Sequence, residues 1–167
     1  FHIELMKIAK EVYHADIITF HDDMGTQRSS FFSPTTFEEV MLPHYKRMND
    51  AAHEMGLYVN FHSCGCVGNQ IENFIAAGFD SWEGQDACND KVGILGKYGD
   101  ELAQVSSFSP DPEGKLTDEE YVQAVKDRVH DYGKEGRYIA WYRENNPERR
   151  EKGYETMYTE SRKFYCD

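Results

Sequence analysis

A histidine and a cysteine two residues apart close the hydrophobic stretch Tyr58–Cys64 of this 167-residue chain. In an extended strand, residues i and i+2 point to the same side, so His62 and Cys64 could approach one ion. Imidazole nitrogen and thiolate sulfur are natural zinc ligands, at about 2.0–2.1 Å and 2.3 Å respectively. The pair therefore predicts a metal site if another ligand comes from elsewhere. The alternative is a buried thiol beside a hydrogen-bonded imidazole.

A zinc ion bound by His62 and Cys64 could activate a substrate thiol. Zinc bound to a substrate thiol lowers the pKa of that thiol and holds it as a thiolate nucleophile. Cys66 forms a C-x-C pair with Cys64, but Gly65 and Gly68 indicate a tight turn that carries Cys66 away from the site. Cys66 is therefore interpreted as a bystander.

Acidic side chains lie at the ends of two other predicted strands and are the candidate catalytic residues. Asp22 and Asp23 are adjacent carboxylates that could hold a substrate cation, act as acid or base, or orient His62. Equally, one of them could cap the next turn. Glu83 ends another strand and could supply an oxygen ligand to a metal.

Two arginines are candidate substrate-binding residues. Arg28, five residues beyond Asp23, could bind a carboxylate or phosphate, or it could form a surface ion pair. Arg143 lies at the end of the last predicted strand and could bind an anion or pair with Glu144.

Five short runs rich in β-branched and aromatic residues predict buried parallel strands. They cover Asp16–Asp22, Tyr58–Cys64, Phe79–Gln85, Ala103–Ser109 and Arg137–Glu144. Helical patterns fill the gaps, and capping boxes at Thr36/Glu39 and Thr117/Glu120 predict two helix starts. Strict alternation of strand and helix predicts an α/β fold with a parallel sheet, whose chemistry collects at the carboxyl ends of the strands.

Composition limits the class of protein. The formal charge of −12, from 18 Lys+Arg against 30 Asp+Glu, argues against nucleic acid and anionic membrane surfaces as partners. No apolar stretch reaches the roughly 20 residues that span a bilayer. The four cysteines do not suggest a disulfide framework in a chain this long, so we expect reduced thiols and a cytoplasmic location. Residues 1–167 are predicted to form a single domain.

Longer stretches resemble the uroporphyrinogen decarboxylase superfamily. The resemblance is carried by "FHDDMGTQRSSFFSPTTFEEVMLPHYKRM", "YVNFHSCG" and "IAAGFDSWEGQ", and extends more weakly through "KYGDELAQVSSFSPDP" and "GKEGRYIAWY". It covers nearly the whole chain and is similar, in order and spacing, to the C-terminal half of that family. The resemblance implies a TIM-type (β/α)8 barrel, of which this chain would hold about the last five strand-helix units.

That superfamily includes cofactor-free decarboxylases and corrinoid-dependent methyltransferases, which pass a methyl group between a methylcobamide and a thiol at zinc. The His-x-Cys stretch resembles the methyltransferases, which implies zinc on His62, on Cys64 and on a second cysteine near the last strand. That strand reads "YIAWYRENNP", without a cysteine. Glu83, Glu144 or Cys166 would then replace it, or this subgroup binds another metal or none.

Three hypotheses follow. The leading one is a methyltransferase-like enzyme with zinc on His62 and Cys64, a small-molecule substrate, and methylcobalamin carried by a corrinoid partner protein. The second is a decarboxylase-type carboxy-lyase that binds a polycarboxylate through Arg28 and Arg143. The third is a non-catalytic barrel fragment. Because a partial barrel exposes sheet edges, we also expect a homo-oligomer or association with the missing barrel half.

Overall fold

The computed structural model of the chain describes residues 1–84, 86–133 and 136–165. Five strands lie side by side in the order in which they occur along the chain. They are β1 (Ile17–His21), β2 (Tyr58–His62), β3 (Ser81–Glu83), β4 (Ala103–Phe108) and β5 (Tyr138–Tyr142). The β1·β2, β2·β3 and β3·β4 pairs are parallel. All five predicted strands are present, shorter by at most two residues at either end; residue 85, the predicted end of the third, lies outside the described residues. The prediction that all five are buried is wrong for β1 and β5, which contain no buried residue.

Helices separate the strands, as the sequence pattern predicts. The α-helices are α1 (His2–Glu11), α2 (Pro34–Thr36), α3 (Leu42–Glu54), α4 (Ile71–Ala76), α5 (Lys91–Tyr98), α6 (Asp118–Gly133) and α7 (Pro147–Tyr165). A π-helical turn, Phe37–Met41, joins α2 to α3, and a 3₁₀ turn, Gly68–Gln70, precedes α4. In the described part of the chain, none of these helices has the length and apolar character needed to span a bilayer.

The two predicted capping boxes have different outcomes. The amide of Thr117 donates to Glu120 Oε2 at 2.8 Å and the amide of Glu120 donates to Thr117 Oγ1 at 3.3 Å, which confirms the box before α6. The other box is wrong, because Ser33 caps that helix and accepts a hydrogen bond from the amide of Thr36 at 3.1 Å. Pro34 takes the first helical position, where its fixed φ is favourable and its missing N–H costs nothing.

The chain divides into two compact units, Phe1–Val105 and Ser106–Asp167, called the first and second units below. In the first unit, buried aromatic rings pack against strand β2. Phe61 stacks on Phe79 with ring centroids 4.3 Å apart, and it meets Phe74 edge to face at 4.9 Å. In the second unit, a smaller buried cluster contains Phe108, Tyr121 and Val125. The single-domain assignment stays a prediction.

Polar side chains lie in register on the face of β1–β3 opposite to Phe61. Parallel pairing places them in two successive rows, Thr19–Asn60–Ser81 and His21–His62–Glu83. Because side chains of paired residues in a parallel sheet point to the same face, each row brings three side chains together. The second row stands at the carboxyl ends of the strands and positions the candidate site.

Candidate metal centre

Three potential metal ligands converge at the carboxyl ends of β1 and β2. The Nε2 atom of His62 lies 3.3 Å from Cys64 Sγ and 3.8 Å from Asp23 Oδ1. The three donor atoms all lie within 4.8 Å of one another. Donors bound to one tetrahedral zinc ion are roughly 3.3–3.6 Å apart, given bond lengths of about 2.0–2.3 Å. This nitrogen, sulfur and oxygen set can therefore hold one cation after small side-chain movements.

Close backbone packing holds the loop after β1 against the loop after β2. Asp23 Oδ1 accepts a hydrogen bond from the amide of Cys64 at 2.9 Å. Gly65 has a φ of +90°, and a Cβ atom at this position would lie 2.2 Å from the carbonyl carbon of Gly25. Only glycine fits this approach, so the "SCGC" segment places the Cys64 thiol beside the Asp23 carboxylate.

Glu83 lies on the opposite side of the His62 ring from these donors. Its Oε1 atom is 3.4 Å from His62 Nδ1, a buried nitrogen without a well-aligned hydrogen bond in the described structure. The side chains of Glu83 and His62 are only 8% and 12% exposed. Asn60 Nδ2 approaches Glu83 Oε2 at 3.5 Å, and the Ser81 hydroxyl donates to Asn60 Oδ1 at 2.7 Å. This placement suits a carboxylate that orients a ligand imidazole better than one that binds the ion.

Asp22 and Asp23 are adjacent in sequence but have different surroundings. The Asp22 carboxylate accepts a hydrogen bond from the Tyr45 hydroxyl. Burial and this carboxylate raise the pKa of Tyr45, because both disfavour a phenolate. Asp22 also borders a cavity of about 250 Å³ together with His21, whose ring stacks on His62 with centroids 4.5 Å apart. Of the two aspartates, only Asp23 joins the group of potential ligands.

The electrostatic environment of Cys64 favours a bound cation. Burial raises the pKa of the Cys64 thiol, and the carboxylates of Asp23 and Asp86 raise it further. A thiolate here would be partly desolvated and would face negative charges. A divalent cation bound to the sulfur offsets the cost of burial and the repulsion by the carboxylates, and it therefore stabilises the thiolate.

The expectation of reduced thiols is wrong for one pair of cysteines. Cys66 and Cys88 form a disulfide, with Cα atoms 5.6 Å apart and a sequence separation of 22. Parallel strands β2 and β3 end at the same edge of the sheet, so the loops that follow them meet. Cys66 lies outside the group of potential metal ligands, as the turn predicts, but it is disulfide-bonded and not reduced, whereas Cys64 is a free thiol.

Sequence reasoning missed the polar side chains that join these two loops. Asn89 Oδ1 accepts hydrogen bonds from the amides of Val67 and Gly68 at 3.0 and 2.9 Å, and Asn89 Nδ2 donates to the Gly65 carbonyl at 2.8 Å. Asp86 Oδ2 accepts from the amide of Gly65 at 2.6 Å. The "DACND" segment is the sequence signal that could have predicted these contacts, since Asp and Asn side chains between a strand and a helix commonly form hydrogen bonds with nearby backbone groups.

Four further residues that were candidates from the sequence are not part of the group of potential metal ligands. Arg28 is exposed and borders a surface cleft that contains the disulfide. Arg143 belongs to the second unit, where its amide donates to the Phe108 carbonyl at 2.8 Å between β4 and β5. Glu144 also belongs to the second unit. Cys166 lies outside the described residues.

No protein-family model matches the chain, and no curated protein sequence matches it. Among solved structures, the chain is similar to a methyltransferase from Methanosarcina mazei, with a TM-score of 0.65 and 14% sequence identity. The match covers 99% of this chain and 47% of that chain, so the chain spans about half the length of that protein. At this identity the similarity is one of fold.

Proposed function

We propose that the chain is the zinc-binding part of a methyltransferase-like enzyme, with Asp23, His62 and Cys64 as the metal ligands. The observation that carries the proposal is the convergence of an oxygen, a nitrogen and a sulfur donor within 4.8 Å of one another. Three protein ligands with a fourth position open to substrate are typical of catalytic zinc sites. Similarity of fold to a methyltransferase supports the choice of reaction class. In this proposal Asp23 is the third ligand, whereas the family resemblance implied a second cysteine as that ligand.

The residues around the three ligands fit a metal ion. With His62 Nε2 facing the other two donors, the proton of the neutral imidazole belongs on Nδ1, which is 3.4 Å from the Glu83 carboxylate. Glu83 thereby orients the ring and keeps the Nε2 lone pair free for the metal. When zinc is bound, it lowers the pKa of a thiol that binds to it and holds that thiol as a nucleophilic thiolate.

The finer features of the proposal come from the resemblance to the uroporphyrinogen decarboxylase superfamily. In this proposal the five strands belong to a TIM-type (β/α)8 barrel, which their sequential order supports. The methyl group passes between methylcobalamin on a corrinoid partner protein and a small-molecule thiol.

The edge of the sheet supports an association of the chain with further strands. Strand β1 is at the edge, and Ile17 on it is 56% exposed. Phe1, Leu5 and Val12 are also exposed along or next to α1. An apolar parallel edge of this kind is stable when another strand and helix cover it. We propose that the missing barrel half or a second copy of the chain provides that cover.

The test of the metal site is the metal content of the purified chain. Plasma mass spectrometry on protein prepared without chelator is expected to find about one zinc per chain. Cys64→Ser and Asp23→Asn should each lose most of it. Asp50→Asn is the matched control, because Asp50 pairs with Lys46 on an exposed face of α3 and should retain the zinc.

Two outcomes separate the parts of the proposal. A chain that binds no zinc, or whose zinc survives both ligand substitutions, contradicts the assignment of the ligands. A zinc-loaded chain, completed by its missing half, that transfers no methyl group from methylcobalamin to any small thiol contradicts the reaction class while leaving the metal site in place.

A further inference from the structure

A surface cleft of about 450 Å³ in the first unit contains the Cys66–Cys88 disulfide beside a positive charge. Cys88 is exposed and Cys66 is half-buried. Arg28 is the only cationic side chain among the described residues that line the cleft. Asp90 also lines it, but its carboxylate caps helix α5 by accepting from the amide of Gly93 at 3.0 Å.

We propose that this cleft is a thiol–disulfide exchange site for a small thiol that carries a carboxylate. The thiolate of this molecule attacks Cys88 Sγ and forms a new S–S bond. The Cys66–Cys88 bond breaks, its electron pair leaves on Cys66 Sγ, and Cys66 takes a proton from solvent. The products are a mixed disulfide on Cys88 and a free thiol at Cys66, so the named thiol is the only co-reactant needed.

The surroundings of the two sulfur atoms favour attack at Cys88. The carbonyl oxygen of Gln27 lies 3.0 Å from Cys66 Sγ, so an incoming thiolate would meet a partial negative charge on that side. The same oxygen can accept a hydrogen bond from the Cys66 thiol once it has been released. Cys88 is the more exposed of the two, and attack there makes Cys66 the leaving group with a partner already in place.

The two loops stay joined when the disulfide opens. Asn89, which is buried, binds the backbone of the β2 loop through three hydrogen bonds to Gly65, Val67 and Gly68. Asp86 adds a fourth, to the amide of Gly65. Exchange at the disulfide is therefore a local event that leaves the fold of the first unit intact.

Arg28 supplies the preference for an anionic thiol. Its guanidinium is exposed and makes no ion pair with any residue in the described ranges. A guanidinium binds a carboxylate through two parallel hydrogen bonds, which fixes the direction of the bound molecule. The net charge of −12 repels anions at long range, so attraction of an anionic thiol depends on this local cation. The inference does not depend on the proposed zinc site, because neither Arg28 nor Cys88 is a ligand there.

The experiment compares an anionic and a neutral thiol on the oxidised chain, 3-mercaptopropionate and 2-mercaptoethanol. After each incubation the remaining thiols are blocked with N-ethylmaleimide, and the mixed disulfide is located by peptide mass spectrometry. We expect the adduct on Cys88. Arg28→Gln should slow the reaction with 3-mercaptopropionate about two- to fivefold and leave 2-mercaptoethanol unchanged. Arg47→Gln, which removes an exposed arginine that lines a different cleft, should change neither rate.

Three results would overturn the proposal. One is an adduct on Cys66 instead of Cys88. Another is an equal effect of Arg28→Gln on the anionic and the neutral thiol, which would remove the carboxylate preference. The third is a thiol titration of the unreduced, denatured chain that finds all four cysteines free, since the Cys66–Cys88 bond leaves at most two.

Discussion

Glu83 faces the ring nitrogen of His62 that points away from the candidate ligands. Glu83 Oε1 lies 3.4 Å from His62 Nδ1, whereas His62 Nε2 lies 3.3 Å from Cys64 Sγ and 3.8 Å from Asp23 Oδ1. Two carboxylates therefore flank one imidazole on opposite sides. Asp23 is exposed and Glu83 is buried, and in the proposed site Asp23 binds the ion while Glu83 orients the ring.

The role of Glu83 can be tested without measuring activity. Glu83→Gln should weaken zinc affinity about 10- to 100-fold, because the amide orients the imidazole less strongly than the carboxylate does. A competition titration against a chromophoric chelator measures this affinity. Glu39→Gln, on the exposed side of the π-helical turn, is the control and should bind zinc as the wild type does. Equal affinities in the two variants would show that Glu83 has no positioning role.

Gly65 should tolerate no side chain. Gly65→Ala forces a Cβ atom into the backbone of Gly25 at a φ of +90°, and we expect a loss of about 2–4 kcal/mol in the free energy of unfolding. Urea unfolding measures it. Gly96→Ala is the control, since a Cβ there meets nothing within 4 Å beyond its chain neighbours and the backbone of its own helix, and α5 should gain about 0.5–1 kcal/mol. If both substitutions stabilise the chain, the close approach of the two loops is wrong.

The aromatic packing against β2 should dominate the stability of the first unit. Phe61 is completely buried between the rings of Phe79 and Phe74. Phe61→Ala should lower the free energy of unfolding by about 3–5 kcal/mol, because it removes these contacts and leaves a cavity. Phe31→Ala, at a side chain that is 60% exposed, should change it by less than about 0.5 kcal/mol. Unfolding monitored by circular dichroism compares them, and similar losses would contradict the described core.

The second unit should lose stability in acid partly through Asp111. Burial alone would raise the pKa of this carboxyl, but the amides of Lys115 and Leu116 and the guanidinium of Arg149 outweigh burial and hold the pKa below its ordinary range. A depressed pKa in the folded state stabilises the fold above the ordinary pKa of an aspartate. That contribution disappears as the pH falls through the lowered value.

Asp111→Asn should therefore be less stable than the wild type at neutral pH, and the difference should close as the pH approaches the ordinary aspartate range and falls below it. Urea midpoints measured between neutral pH and about pH 2 give the comparison. Asp131→Asn, at an exposed position of α6, is the control and should follow the wild type at every pH. A constant difference between Asp111→Asn and the wild type would mean that the carboxylate charge is not involved.

Local sequence patterns were sufficient for the strands and for part of the candidate site. The alternation of helix and strand predicted five parallel strands, and the i, i+2 spacing predicted that His62 and Cys64 approach one point. Both are local properties of the backbone. The capping box at Thr36 failed because Ser33 and Pro34 offer a better helix start one turn earlier. Both positions have a residue that can cap a helix, and the path of the loop after β1 decides which of them becomes the first residue of the helix.

The sequence by itself determined the order and type of the elements, the candidate ligands at the end of β2 and the net negative charge, because these follow from residue type and short-range spacing. Only the tertiary structure decided that Asp23 and not Asp22 joins them, that Glu83 lies behind His62, and that Cys66 pairs with Cys88. These relationships join residues 21 to 41 positions apart in sequence. They depend on the register of neighbouring strands and on how closely two loops pack, and neither is encoded in any local repeat.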